Sequence, residues 1–504
     1  MLDAGMVALI ALALLKLALH LLTNRRYGYF RDELYYMACG DRLSWGYIDH
    51  PPAIPLLVRV VRELFGDSLF AIRLAPALAG AAIVFLTGWM ARRLGAKQFG
   101  ISLAALAALV SPAFLAIAAI LTVNVFDILW WTIIECLLIE LILRERPRLW
   151  IWIGLVFGVG ILTKYNIVFL AVGLFAAMLL TPARKHLRNR WTWLGVALAL
   201  AIFSPNVIWQ ISNHWPTLEF LHNIREFKNY PVTPFEFVSM QFIVVHPLVA
   251  PIWCAGLCYL LFSSDTRTLR VLGVTAVAVF LIFLLLKAKF YYLFPIYPVL
   301  FASGGVAIER FLQRKPRRWP KPVIVGAILL GTGAFLPYTV PVLSIDRFLA
   351  YDRALSIHRL LKFEKSREPS KPIVYADMFG WPELATGVAR VFHSLPTAER
   401  QTCTVLTNNY GEASAIKFFG GATDLPQPVS GHNSYYLWGS GERPWETVIA
   451  IGFAPDALSS LFENVELVET LHDDLARETE IPTYVCSALK MPLRDAWLRL
   501  KHFR

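Results

Sequence analysis

Charge is scarce in this chain. Only 17% of its 504 residues are Asp, Glu, Lys or Arg, while 57% are hydrophobic. So small a polar complement excludes an ordinary soluble domain of this length. Cysteine is thin as well. The six present show no metal-ligand framework. Cys254 and Cys258 stand one helical turn apart in an apolar run with no histidine in the pattern, and read as small buried residues. Cys403 and Cys486 fall near the C-terminus, where pairing and separate burial are both open. Nucleotide chemistry has no signature: there is no P-loop, no dinucleotide fingerprint and no Gly-x-Ser-x-Gly elbow. The first apolar run has no cleavage site of small residues, so it is expected to stay as a span.

What is present is a series of apolar runs, each about 20 residues long and able to cross a bilayer. They lie near residues 4–22, 69–90, 99–121, 125–143, 191–209, 241–262, 271–286, 291–308 and 322–342. Residues 149–181 read as two short spans meeting at the polar break Thr163-Lys164-Tyr165-Asn166. These predict a polytopic α-helical membrane protein with about 11 transmembrane helices. The net charge of +12 does not point to nucleic acid. Its basic residues crowd short loops, such as Arg92-Arg93, Arg144 to Arg148, Arg184 to Arg190 and Arg310 to Lys321. That is the positive-inside pattern of a cytoplasmic face. The other loops then lie outside, and they carry nearly every unusual polar residue.

The predicted domains are a membrane domain over 1–343, with outer loops 23–68 and 210–240, and an extracytoplasmic α/β domain over 344–504. In the latter, 372–376, 403–407 and 447–451 read as buried strands, with helices at 412–419 and 455–462 between them.

The first outer loop concentrates the chemistry. Arg31-Asp32-Glu33 is followed by Asp49-His50-Pro51-Pro52. Asp32 and Glu33 are adjacent and point in different directions, so one can reach a cavity while the other braces the loop. Asp32 fits a general base, although spacing alone favours an interfacial salt bridge with Arg31 or Arg26. Asn124 and Asp127 are three apart on one helical face, with Asp127 a turn inside the membrane, where a carboxylate marks function by default. Lys164 and Lys289 stand on the outer side against the usual bias. Each suits either a headgroup anchor or a phosphate-holding point charge. His214, His222 and His246 lie in or beside the second outer loop.

Together these motifs resemble the membrane glycosyltransferases of the C-type (GT-C) fold, family 39. This group includes dolichyl-phosphate-mannose-protein mannosyltransferases and the lipid A aminoarabinose transferases. The resemblance covers about residues 5–310. It rests on Arg31-Asp32-Glu33, Asp49-His50-Pro51-Pro52, Thr122-Val123-Asn124-Val125-Phe126-Asp127, Lys164-Tyr165, Pro205-Asn206-Val207-Ile208-Trp209-Gln210 and Lys289-Phe290-Tyr291-Tyr292-Leu293-Phe294-Pro295. Thr122-Val123-Asn124 departs from the Thr-Pro-Asp of many relatives. Asp49-His50 replaces a Glu-Lys pair of the aminoarabinose enzymes.

The resemblance implies a polyprenyl-phosphate-linked sugar donor, a lipid, glycan or protein acceptor, and a multi-pass bacterial inner-membrane protein with its site on the periplasmic side. It implies Asp32, with Glu33 and Asp127, as catalytic acids. Lys164, Tyr165, Lys289, Tyr292 and Asn124 would bind substrate and phosphate, and Asp49 with His222 a divalent metal, the one cofactor in question. The rival is a transporter or flippase of a lipid-linked sugar. It needs the same polar cavity but no bond cleavage, and transporters commonly show two related halves, which this chain lacks.

Overall fold

A computed structural model describes residues 3–228, 232–314, 319–355, 373–422 and 424–504 of the chain. The fold divides into two compact units. The first is Met1–Arg26, Phe70–Ile208 and Pro231–Ser356; the second is Tyr27–Leu69, Trp209–Tyr230 and Ile357–Arg504.

Among its described residues, the regular structure of the first unit is helical. Among the described residues six helices are long and apolar enough to cross a membrane: Ala4–Thr23, Leu69–Arg93, Arg190–Ser212, Ser264–Leu285, Phe290–Arg314 and Pro320–Thr339. The number reaches eight if each of two bent pairs is one span. The expected 11 runs differ from this for physical reasons. Leu149–Ile161, Pro234–Val244 and Ala250–Phe262 are shorter than a bilayer-crossing helix. Val123–Arg144 is long enough but carries Asp127, Glu135 and Glu140 along its length.

The run at 99–121 is two helices, Gln98–Val110 and Pro112–Ala118, bent by 59°. Pro112 has no N–H and cannot continue the first helix. Lys16 meets the carbonyls beside this break: its Nζ donates to Phe114 O at 3.0 Å and Leu109 O at 3.4 Å. It therefore faces other helices rather than the lipid surface. The polar break at 163–166 separates Leu149–Ile161 from Ile167–Leu180, as the sequence predicts.

Without water to expel between them, membrane helices gain most from close van der Waals packing, and small residues permit it. Here Gly256 and Gly304 bring Ala250–Phe262 against Tyr297–Arg314. A Cβ on either would lie 2.0 Å from a carbonyl oxygen of the other helix. The carboxylate of Glu309 accepts from the backbone N–H groups of Lys97 (2.6 Å) and Gly100 (3.0 Å), satisfying donors at the start of Gln98–Val110.

The second unit holds a five-stranded sheet. Its strands are β1 (Cys403–Thr407), β2 (Val429–Ser430), β3 (Thr447–Ile451), β4 (Phe462–His472) and β5 (Glu480–Leu489), in the order β2-β1-β3-β5-β4. β1 runs parallel to β2 and β3, and β5 is antiparallel to β3 and β4. β1 and β3 are buried at every residue, which is why they read as continuous apolar runs. The core beneath them includes Leu406, Val448, Phe462, Tyr484, Ala496 and Leu500.

β4 was not expected. It is an edge strand, exposed along most of its length and carrying Glu463, Glu466 and Glu469, so it lacks the apolar run that marks a buried strand. The strand expected at 372–376 is a helical turn, Ile373–Ala376, with Pro372 outside the described residues. Its backbone goes to neighbouring loops instead of a sheet: Arg477 N donates to Ala376 O at 3.0 Å. Cys403 and Cys486 are both unpaired. They sit on β1 and β5 with β3 between them, about 9–10 Å apart at the standard strand spacing, too far for a disulfide.

Two clusters of candidate functional residues

In the first unit, the break at 163–166 and the start of Val123–Arg144 meet. Thr122 caps that helix, its Oγ1 accepting from Asn124 N at 3.3 Å. Asn124 thereby falls in the first turn and Asp127 one turn further, on the same face. Lys164 reaches both: its Nζ donates to Asn124 Oδ1 at 2.9 Å and lies 3.5 Å from Asp127 Oδ2. Asn166 donates to Asp127 Oδ2 at 2.8 Å and to Tyr292 O at 3.2 Å. The Lys164 ammonium lies 4.9 Å from the Tyr292 ring centre and 5.5 Å from that of Tyr291. Lys289 lies 6.0 Å from the same Tyr291 ring. Tyr165 turns aside, donating from its hydroxyl to Asn206 Oδ1 at 2.9 Å.

Five of the six residues expected here are thus joined: Asn124, Asp127, Lys164, Tyr292 and Lys289. An ammonium has three donors, and Asn124 and Asp127 engage two of them. One more N–H and a second lysine on a shared aromatic ring suit an anion such as a phosphate.

In the second unit, Arg31–Gly40 is a helix whose first turn carries the acidic pair. Glu33 is buried, and its Oε2 accepts from the Phe30 N–H at 2.8 Å, closing the helix start. Glu33 therefore braces the loop. This corrects its expected place among the catalytic acids, because a buried capping carboxylate is not presented to a substrate. Asp32 points elsewhere, its Oδ1 accepting from the Tyr410 hydroxyl at 3.0 Å. The Arg31 guanidinium lies 2.6 Å from Glu478 and 3.3 Å from Asp377.

Asp49 Oδ1 accepts from the Tyr35 hydroxyl at 2.9 Å. His50 is a core residue: its ring packs on Tyr47 at 4.7 Å, and burial draws its pKa below the usual histidine range. His222 is exposed on the helix Pro216–Asn223, 3.5 Å from Glu226. Among the described residues no group of three or more His, Cys, Asp or Glu is arranged to hold a metal ion. Asp49 and His222, expected together as metal ligands, have the Tyr35 hydroxyl and Glu226 as their respective neighbours.

Sequence reasoning missed Tyr410, Tyr35, Asn166 and Tyr291 as participants. Asn166 and Tyr291 adjoin residues that were singled out, so the signal was there. Tyr410 lies 378 positions from Asp32 and carries no local signal.

Residues 49–209 match the family model of dolichyl-phosphate-mannose-protein mannosyltransferase. The chain is 26% identical over 348 residues to the lipid A galacturonosyltransferase RgtD of Rhizobium johnstonii, covering 68% of this chain and 72% of that one. Among solved structures it resembles ArnT of Cupriavidus metallidurans, both in the apo state (TM-score 0.62) and bound to undecaprenyl phosphate (TM-score 0.61). Each is 19% identical and covers 95% of this chain and 97% of that one. The Archaeoglobus fulgidus oligosaccharyltransferase has a TM-score of 0.51 at 12% identity, covering 82% of this chain and 64% of that one.

Proposed function

We propose that this chain, a multi-pass membrane protein with the GT-C glycosyltransferase fold, moves a sugar from a polyprenyl-phosphate donor to an acceptor on the periplasmic side of the bacterial inner membrane. The observation that carries the reading is the Lys164 cluster. A lysine oriented by Asn124 and Asp127 in an apolar helical unit, with Lys289 beside it, suits a lipid-borne phosphate. The ArnT structure bound to undecaprenyl phosphate supports that choice of carrier, and the likeness to RgtD supports a lipid acceptor.

In the proposed reaction the acceptor hydroxyl attacks the anomeric carbon. Its proton passes to Asp32, and the bond from that carbon to the phosphate oxygen breaks. Polyprenyl phosphate leaves, its growing negative charge met by Lys164 and Lys289. A single displacement inverts the anomeric centre. Glu33 holds the helix that carries Asp32. Asp49 and His222 remain the residues that would hold a divalent ion, and no step here is routed through one.

The test is product analysis. Membranes containing the protein are given radiolabelled polyprenyl-phosphate sugars, and both products are followed. Free polyprenyl phosphate should appear in step with labelled acceptor, whereas translocation of intact donor without cleavage would defeat the enzyme reading. The same assay in excess EDTA tests the divalent ion, and an unchanged rate would remove Asp49 and His222 as its ligands. A loss restored by added Mg²⁺ or Mn²⁺ would keep Asp49 in consideration as a ligand.

A further inference from the structure

The C-terminal α/β region has no motif of its own, yet its helix Tyr410–Phe419 is fastened to the helix that carries Asp32. Asn409 caps that helix, accepting from the N–H groups of Gly411 (2.9 Å) and Glu412 (3.0 Å). Gly411 leaves no room for a side chain: a Cβ there would meet Arg31 Cγ at 2.9 Å. At the other end Lys417 Nζ lies 2.7 Å from Asp41. Tyr35, Ala38, Cys39, Tyr47, Ala413 and Tyr435 form one buried cluster beneath the contact. The helix start is therefore held firmly, and Tyr410 with it.

Tyr410 sits between two rings, Tyr35 at 4.5 Å and His432 at 4.9 Å. The two neighbouring tyrosines each donate to a different carboxylate: Tyr410 to Asp32 at 3.0 Å and Tyr35 to Asp49 at 2.9 Å. Burial, and then the neighbouring Asp32, push the Tyr410 hydroxyl well above the usual phenol range, so it stays protonated and donates. Arg31 and Asp49 are the other charged groups acting on it. Arg31 is itself occupied by Asp377 and Glu478.

We propose that Tyr410 is a positioning residue for Asp32, and that through it the C-terminal region takes part in sugar transfer. The hydroxyl fixes one oxygen of the carboxylate that is to receive the acceptor proton. This rests on the reading of Asp32 as the base. A hydrogen bond to the ionised carboxylate also keeps that group charged to lower pH.

The test is the pH profile of transfer by the intact chain carrying Tyr410→Phe, which keeps the ring contacts and loses only the donor. The turnover number is expected to fall about tenfold with the donor KM unchanged, because misplacing a catalytic group costs about this much or more. The acid limb of kcat/KM is expected to move up by about one pH unit. Should Tyr410→Phe fail to fold, 3-fluorotyrosine at position 410 provides a near-isosteric, stronger donor, and the acid limb should move down instead. A merely structural tyrosine would move the limb in neither case. If Asp32→Asn is inactive while both Tyr410 variants keep the wild-type profile, the positioning role falls and the base assignment stands. If Asp32→Asn is active, the base assignment itself falls.

Discussion

Asp32→Asn is expected to lower sugar transfer by about 10³-fold, the usual range for loss of a general base. The substitution keeps the shape of the side chain, and the amide oxygen still accepts from the Tyr410 hydroxyl that holds Asp32 Oδ1 at 3.0 Å. What disappears is the ability to take a proton. The helix Arg31–Gly40 should survive, because its start is closed by Glu33 and not by Asp32. Activity should therefore fall without a matching loss of thermal stability in detergent. Glu33→Gln provides the contrast. The amide oxygen still accepts from Phe30 N, so most activity should remain. Asp32→Asn with activity near wild type, measured as labelled acceptor formed from a polyprenyl-phosphate sugar, would remove the base from the mechanism.

The contrast between these neighbours shows what the sequence could and could not convey. That Asp32 and Glu33 point apart follows from helical geometry. Which of them braces and which is presented depends on the exact helix start, and cap positions are the least certain feature of any sequence reading. The Lys164 cluster was more accessible. Three-residue spacing put Asn124 and Asp127 on one face. A polar break between apolar runs must have its side chains satisfied somewhere, since lipid offers no hydrogen bonds. Lys164 and Asn166 satisfy them on Asp127. Asp49 and His222 were joined by resemblance alone. No periodicity links a loop acid to a histidine over 170 positions away, and each has found a local partner instead. The sheet was half visible. β1 and β3 are continuous apolar runs because both faces are covered, whereas β4 is an acidic edge whose pairing with β5 carries no comparable apolar signal.

The Tyr410–Asp32 contact was beyond reach for a related reason. Side chains that meet across hundreds of residues are set by tertiary packing, which leaves no periodic trace.

Lys164→Met is expected to lower turnover by about 10²-fold, since a hydrogen bond to a charged group contributes about 1.5–3 kcal/mol. The loss should fall more on kcat than on KM. The donor is a phosphodiester with one negative charge, and the leaving polyprenyl phosphate gains a second as the sugar departs. An ammonium beside it therefore binds the transition state more strongly than the ground state. A stability effect has to be separated from this. Lys164 Nζ lies 3.5 Å from the buried Asp127, and removing one member of a buried pair costs about 3–5 kcal/mol. Asn166, donating to Asp127 Oδ2 at 2.8 Å, offsets part of that loss.

Pairing Lys164→Met with Asp127→Asn removes the stranded charge, because the new amide oxygen still accepts from Asn166. The double variant should recover thermal stability towards wild type and remain deficient in transfer. Recovery of both together would mean that Lys164 serves only to neutralise Asp127. The phosphate-binding role would then pass to Lys289, whose replacement by methionine should in that case carry the whole kcat loss.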